Sequence, residues 1–161
     1  PPHRRKDFAM NRIVSRCLLA LALSFAAYAP VQAQMDPAPA NPDLRPVFEQ
    51  FGGQPGIVAL MDDLMVLMLA NPQLRPFFVD VDQASVKTLL AEQVCVILGG
   101  DCTYTGRSMA ESHAGLGITR ADFNALVEDL QTAMNARGIP FRAQNKLLAV
   151  LAPMHREVVT E

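Results

Sequence analysis

Two histidines, His113 and His155, are the side chains downstream of residue 33 that are best suited to bind a metal. Neither has a second His, Cys or carboxylate at the spacing of a zinc site. Gly115 and Gly117 follow His113 at once, and glycine permits sharp backbone bends and the close approach of a bulky group. A lone histidine near a loop is more often a surface residue, so the pattern by itself indicates only a candidate ligand. His155 stands among charged neighbours near the end of the chain, which favours a surface position.

Downstream of residue 33 the chain has two cysteines, Cys95 and Cys102, an even number that permits a disulfide. Cys17 lies far upstream. On one straight helix, residues with this separation would be roughly 10 Å apart, too far to form a disulfide. Gly99-Gly100 lies between them and removes that objection. A disulfide and two free thiols are therefore both open. Together with His113, the two cysteines would offer only three zinc ligands at irregular spacing, so a zinc site is not favoured.

Other kinds of chemistry find no support in the residue pattern. The chain has no Ser-His-Asp order, no Gly-rich phosphate loop and no paired buried carboxylates, and we predict no catalytic residue. From residue 34 onward, nine Lys and Arg stand against fifteen Asp and Glu, a net charge of −6. This balance provides no basic surface for nucleic acid and no attraction to anionic membranes.

Helices must position these groups, because Leu, Ala, Val and Met supply most of the apolar residues and Trp is absent. Three- and four-residue spacing of apolar side chains predicts four substantial helices and several short pieces. The predicted helices run from near Pro55 to the Asn71-Pro72 break, from Asp82 to about Leu98, from Thr119 to the Gly138 break, and over about 141–158. Thr119 and Asp122 are spaced as a capping box. Residues 101–107 are predicted to be loop, and a short turn from Ser108 carries His113.

The first 33 residues have the features of a leader with a secretory signal peptide starting at Met10. Basic residues precede a short apolar run, Leu18 to Ala27, and Val31-Gln32-Ala33 has the form of a cleavage site. The run is too short for a comfortable membrane span, although an uncleaved anchor is the alternative. We expect cleavage after Ala33, a secreted or periplasmic location and no membrane partner after cleavage. Residues 34–44 then form a Pro-rich, flexible linker before one domain over 45–161.

The segment YTGRSMAESHAGLGIT, residues 104–119, resembles the proximal region of group I truncated haemoglobins. The resemblance continues through the segments 51–53, 71–78, 98–100 and 151–154, which read FGG, NPQLRPFF, LGG and LAPM. It covers roughly Val47 to Val159, with the motifs in order and without a gap. It implies an all-α fold, the two-over-two helical sandwich of truncated globins, built around haem b (iron protoporphyrin IX).

The same resemblance assigns roles to individual positions. His113 matches the proximal histidine that binds the iron, and its second ring nitrogen would need a hydrogen-bond partner. Phe78 matches the phenylalanine against the haem face, and Tyr104 matches a residue near a propionate. The apolar positions that match the haem lining are Met109, Ile118, Phe123, Leu126, Leu147 and Leu151.

The distal side departs from the best-known family pattern, in which a tyrosine and a glutamine hydrogen-bond bound oxygen. Met65 stands at the tyrosine position, and Val86 and Leu90 stand at the polar positions of the next helix. Gln93 lies one turn further along, and a solvent-facing position is favoured for it. A missing hydrogen bond worth roughly 1–3 kcal/mol predicts oxygen loss about ten- to hundredfold faster.

The resemblance implies a haem-binding globin that reversibly binds a diatomic gas, oxygen, nitric oxide or carbon monoxide. Nitric oxide dioxygenation is a candidate activity, and it would need an electron donor whose identity the sequence leaves unknown. Electron transfer or gas sensing without turnover is the alternative. A helical bundle without haem, used for protein contact, is a third class.

Overall fold

The computed structural model describes residues 35–161, and within this range it is helical, without a β-strand. The helices are α1 (Arg45–Gln50), α2 (Gly53–Ala70), α3 (Arg75–Phe78), α4 (Gln83–Ile97), α5 (Met109–His113), α6 (Arg120–Ala136), α7 (Phe141–Leu151) and α8 (His155–Val158), with 3-10 turns at Pro42–Leu44 and Ala152–Met154. The all-α prediction is confirmed. The leader lies outside the described residues, so the signal peptide and its cleavage stay predictions.

Helix α2 is central to the domain, because it packs against both α4 and α6. Its buried residues repeat at three- and four-residue spacing and are Ile57, Leu60, Met61, Leu64, Met65 and Met68. By length and composition alone this helix could cross a membrane, but its apolar stripe is used in the core. It begins at Gly53, earlier than predicted, because a proline is tolerated in the first turn, where N–H groups have no intrahelical partner.

Side-chain caps fix where the two longest helices after α2 begin, as the sequence predicts. The Asp82 carboxylate accepts a hydrogen bond from the Ser85 N–H at 3.1 Å and starts α4. At α6, the Thr119 hydroxyl accepts from the Asp122 N–H at 3.2 Å, and the Asp122 carboxylate accepts from the Thr119 N–H at 2.9 Å. Hydrogen bonds from Thr119 lower the pKa of Asp122 below its ordinary value. The capping box is confirmed.

The end of the chain differs from the single helix expected over 141–158. Helix α7 ends at Leu151, a 3-10 turn follows, and α8 starts at His155. Pro153 lies in that turn and has no N–H to continue the helical hydrogen bonds, which explains the break. Beyond α8, the Thr160 N–H donates to the Ile118 carbonyl at 2.9 Å, and the Ile118 N–H donates to the Thr160 hydroxyl at 3.0 Å. The C-terminal residues are thereby joined to the loop after α5.

The Pro-rich segment before α1 lies against the domain over residues 35–44, although a flexible linker was expected there. The Pro37 carbonyl accepts a hydrogen bond from the Gln93 side chain at 2.6 Å, and the Met35 N–H donates to Glu157 at 2.8 Å. Ala38 is buried among these contacts. Composition indicates flexibility, but these distant polar partners hold the segment in place.

Replacing Thr119 by Ala should lower the free energy of unfolding by about 1 kcal/mol, because the helix loses its N-cap acceptor. Urea unfolding monitored by circular dichroism measures the change. The control is Thr132→Ala in the same helix, whose hydroxyl bonds only to the Glu128 carbonyl of its own helix, at 2.9 Å. Equal losses in the two variants would contradict a capping role for Thr119.

Candidate functional site

The ring of His113 is held in one orientation by its own helix. Its Nδ1 lies 2.7 Å from the carbonyl oxygen of Met109, one helical turn back. A carbonyl can only accept, so Nδ1 carries the proton and the lone pair of the neutral ring lies on Nε2. An imidazole whose second nitrogen bonds to a carbonyl is the arrangement typical of metal-binding histidines. His113 is half-buried, so Nε2 is suited to bind a metal.

Local signals at both ends place α5, which carries His113. Ser108 and Glu111 form a capping box: the Ser108 hydroxyl accepts from the Glu111 N–H at 3.3 Å, and the Glu111 carboxylate accepts from the Ser108 N–H at 3.2 Å. These bonds lower the pKa of Glu111. Just past the helix, Gly115 has φ +72°, a left-handed conformation that favours glycine. The short helix therefore has a defined start and a defined exit.

The loop between α4 and α5 is fastened to α4 twice. Cys95 and Cys102 form a disulfide with 6.0 Å between their Cα atoms, which decides the question that the sequence left open. The Glu92 carboxylate also accepts from the Thr105 N–H at 2.9 Å and from its hydroxyl at 2.7 Å. Sequence reasoning missed Glu92, because no pattern pairs it with Thr105. Both sulfurs are used in the disulfide, so they are not available as zinc ligands.

The residues predicted around the haem, other than His113, all belong to the one hydrophobic cluster of the described residues. Four are buried, namely Met65, Met109, Ile118 and Leu147, and seven are half-buried against the same cluster, namely Phe78, Val86, Leu90, Tyr104, Phe123, Leu126 and Leu151. Phe78 was expected in a connecting segment and is the last residue of the short helix α3. Large apolar side chains that remain half-exposed around a core suit a flat, apolar ligand. With the His113 tautomer, this set of residues fits a haem group.

The predicted distal positions carry only apolar side chains. Met65 on α2 is buried, Val86 and Leu90 on α4 are half-buried, and none of the three has a hydrogen-bond donor in its side chain. Gln93 is buried, and the expectation that it faces solvent is wrong. Its amide donates to the Pro37 carbonyl at 2.6 Å and lies 3.7 Å from the sulfur of Met109. Because the Pro-rich segment of residues 35–44 covers Gln93, helical periodicity alone could not reveal this burial.

Tyr104 is half-buried in the loop before α5, and its hydroxyl donates to the Arg107 carbonyl at 2.9 Å. Burial first, and then the nearby Glu92 carboxylate, raise the pKa of this hydroxyl, so it remains a donor at neutral pH. His155 is also half-buried, and its ring packs against Phe123 with 6.1 Å between ring centroids. His155 therefore contacts a residue of the candidate site without matching the proximal position.

Comparison with known proteins places the fold among globins. Residues 46–160 match the bacterial-like globin family. A group 1 truncated haemoglobin of Mycolicibacterium paratuberculosis is 30% identical over 114 residues, which are 71% of this chain and 84% of that protein. One from a Nostoc species is 32% identical over 93 residues, 58% of this chain and 79% of that protein.

Solved structures agree with this fold. The structure is similar to the Fe(III) form of the truncated haemoglobin of Tetrahymena pyriformis, with a TM-score of 0.68 and 22% identity over 71% of this chain and 98% of that one. It is also similar to the cyanomet 2/2 haemoglobin of a Synechococcus species, which has covalently attached haem, with a TM-score of 0.66 and 21% identity over the same shares.

The helices and the histidine site define a globin of the truncated, two-over-two class. The chain belongs to the bacterial-like globin family. It is accordingly a haem-binding globin that binds a gas, and the predictions of fold class, haem binding and family are confirmed. The roles of individual residues, including those of His113, Phe78 and Tyr104, stay predictions.

Replacing His113 by Ala should remove the proximal ligand and change or abolish the haem absorption bands. Spectra of the ferric and ferrous-carbonyl forms measure this after haem is added to each purified protein. His155→Ala is the matched control, because it removes an imidazole that packs beside Phe123, and its spectra should match the wild type. A wild-type spectrum in His113→Ala would contradict the assignment of the iron ligand.

Proposed function

We propose that this chain is an exported globin that holds haem b through Nε2 of His113 and binds a diatomic gas reversibly on an apolar distal side. The observation that carries the proposal is the 2.7 Å contact between His113 Nδ1 and the Met109 carbonyl. This contact leaves the lone pair on Nε2, which would bind the iron, and it fixes the orientation of the ring. Haem supplies a ferrous iron with an open position for a gas.

Haem b, which is held without a covalent link to the protein, is the form that the cysteines favour. Covalent attachment through a thioether would require a free cysteine thiol. Cys95 and Cys102 are joined to each other, and Cys17 lies in the leader that we propose is removed. The half-buried apolar side chains around the cluster, among them Phe78 and Leu151, can then hold the porphyrin by burial of its faces.

The side chains at the distal positions define how the gas is held. Met65, Val86 and Leu90 exclude water from the ligand side, but they offer no N–H or O–H group to a bound gas. Dioxygen, which gains partial negative charge on binding, depends on such a donor more than carbon monoxide or nitric oxide does. We therefore propose a fast oxygen off-rate and easy oxidation of the iron.

Replacing Met65 by Tyr should slow oxygen dissociation by about ten- to hundredfold, because the phenol supplies a hydrogen bond worth roughly 1–3 kcal/mol. Stopped-flow displacement of oxygen by carbon monoxide measures the rate. Met65→Leu, which keeps an apolar side chain of similar volume, is the control and should leave the rate close to the wild-type value. An off-rate that is the same in all three proteins would contradict an apolar distal side.

Nitric oxide dioxygenation is the activity that we propose for testing, with an electron donor from outside the chain to reduce the iron again. Nitric oxide is mixed rapidly with the oxygenated protein, and nitrate and ferric protein are measured. We expect one nitrate and one ferric site for each oxygenated protein. Electron transfer or gas sensing is the second candidate, and it is favoured if nitrate does not form while oxygen binding is normal.

Export to the periplasm or the medium is proposed from the signal-like leader. The disulfide between Cys95 and Cys102 supports it, because disulfides persist in oxidising compartments and are rare in the cytosol of mesophiles. The net charge of −6 downstream of residue 33 also suits a protein that remains free of anionic membranes.

A further inference from the structure

The side-chain amide of Gln93, on α4, lies where three other parts of the chain meet. Its nitrogen donates to the Pro37 carbonyl at 2.6 Å, and it lies 3.7 Å from the sulfur of Met109 and 3.8 Å from the sulfur of Met154. Pro37 belongs to the Pro-rich segment, Met109 is the first residue of α5, and Met154 ends the 3-10 turn before α8. One side chain of α4 therefore joins all three.

Burial restricts how far this amide can move from its partners. Gln93 is 5% exposed, Met109 8% and Met154 3%, so water has little access to the contact. A buried amide N–H that leaves its acceptor gains no hydrogen bond to water in return. Thioether sulfur is a weak acceptor, but in a site closed to water even a weak acceptor restricts the positions of the amide and of the methionine side chain.

Two neighbours of Gln93 on α4 hold the loop that leads to α5. The Glu92 carboxylate accepts from Thr105, and Cys95 is bonded to Cys102. Glu92, Gln93 and Cys95 lie within about one turn of α4. The same turn of α4 therefore holds both the approach to α5 and, through the Gln93 amide, the first residue of α5.

Met109 also supplies the carbonyl that orients the ring of His113, with 2.7 Å between that oxygen and Nδ1. Its backbone and its side chain thus have different partners, because the carbonyl accepts from the histidine while the sulfur lies against Gln93. A hydrogen bond from Nδ1–H to a carbonyl raises the basicity of the other ring nitrogen. A displacement of Met109 would weaken this hydrogen bond and make Nε2 a weaker ligand.

We propose that Gln93 is a positioning residue for the iron ligand: it holds Met109 in place, and Met109 orients His113. The inference rests on the proposed binding of iron by His113. Gln93 acts through the protein in this role and not as a donor to the bound gas, although α4 also carries the predicted distal positions Val86 and Leu90. The Pro37 carbonyl holds the amide, so the Pro-rich segment is part of the same support.

Gln93→Leu removes both N–H groups and keeps a side chain of similar size. In the ferrous haem-loaded protein, the iron–histidine stretching band of the resonance Raman spectrum should shift to lower frequency, because a weaker hydrogen bond from Nδ1 makes Nε2 less basic. Haem transfer to an excess of a haem-scavenging apoprotein should be about tenfold faster, since residues that orient a metal ligand typically have effects of this size. Gln93→Met also lacks N–H groups and adapts to irregular packing. It should show the same changes and decides the test if Gln93→Leu does not fold.

Gln144→Leu is the matched control, because Gln144 is the other buried amide side chain of the described residues. It donates to the Asn135 side chain at 2.9 Å and to the Ile139 carbonyl at 2.8 Å, away from α5. Its replacement should lower the free energy of unfolding but leave the iron–histidine band and the rate of haem transfer close to the wild-type values. Equal band shifts in Gln93→Leu and Gln144→Leu would overturn the positioning role.

A double-mutant cycle tests whether the effect passes through Met109. Met109→Leu removes the sulfur and keeps the backbone carbonyl. Gln93→Leu should therefore shift the band less in this background than in the wild type, because the contact that it removes is already lost. Shifts that add in the double variant would contradict the action of Gln93 through Met109.

His113→Ala separates this proposal from the proposed function. An iron–histidine band that persists without His113 overturns the assignment of the iron ligand, and the positioning role is overturned with it. A band that is lost in His113→Ala but unchanged in Gln93→Leu and Gln93→Met overturns only the role of Gln93. The proposed binding of haem through His113 then stands.

Discussion

The hydrogen bond between His113 Nδ1 and the Met109 carbonyl is the interaction on which the rest of the site depends. It fixes both the tautomer and the rotation of the ring, and it requires that Met109 and His113 remain one helical turn apart. A helix of five residues cannot maintain that geometry alone, because isolated short helices are unstable in water. The surrounding structure must therefore hold α5 from outside.

Four attachments provide this support, two from the neighbouring helix α4 and two from the end of the chain. The disulfide and the Glu92–Thr105 hydrogen bonds fasten the loop before α5 to α4. The pairing of Ile118 with Thr160 fastens the loop after α5 to the end of the chain. Helix α8 packs directly on α5. Since α5 is short, these covalent and polar connections of its flanking loops contribute rigidity that a longer helix would gain from its own hydrogen bonds.

The predicted distal positions follow a different physical rule, because their side chains are held by packing rather than by hydrogen bonds. Met65 lies buried in the stripe of α2 that forms the core, so this side chain contributes to the stability of the helix packing. Gln93, one of two buried amide side chains in the described residues, donates to the Pro37 carbonyl and lies beside a methionine sulfur. In this arrangement Gln93 holds the Pro-rich segment of residues 35–44 against the domain.

The sequence by itself determined the features that depend on local chemistry. Apolar periodicity predicted α2 and its stripe, Thr119 and Asp122 predicted the start of α6, and the motif around His113 indicated the family. These features depend on residues a few positions apart. The tertiary structure alone decided the burial of Gln93, the closure of the Cys95–Cys102 bond and the contact of Met35 with Glu157. Each of these requires that the folded chain bring particular groups together, and neither composition nor helical spacing specifies such a meeting.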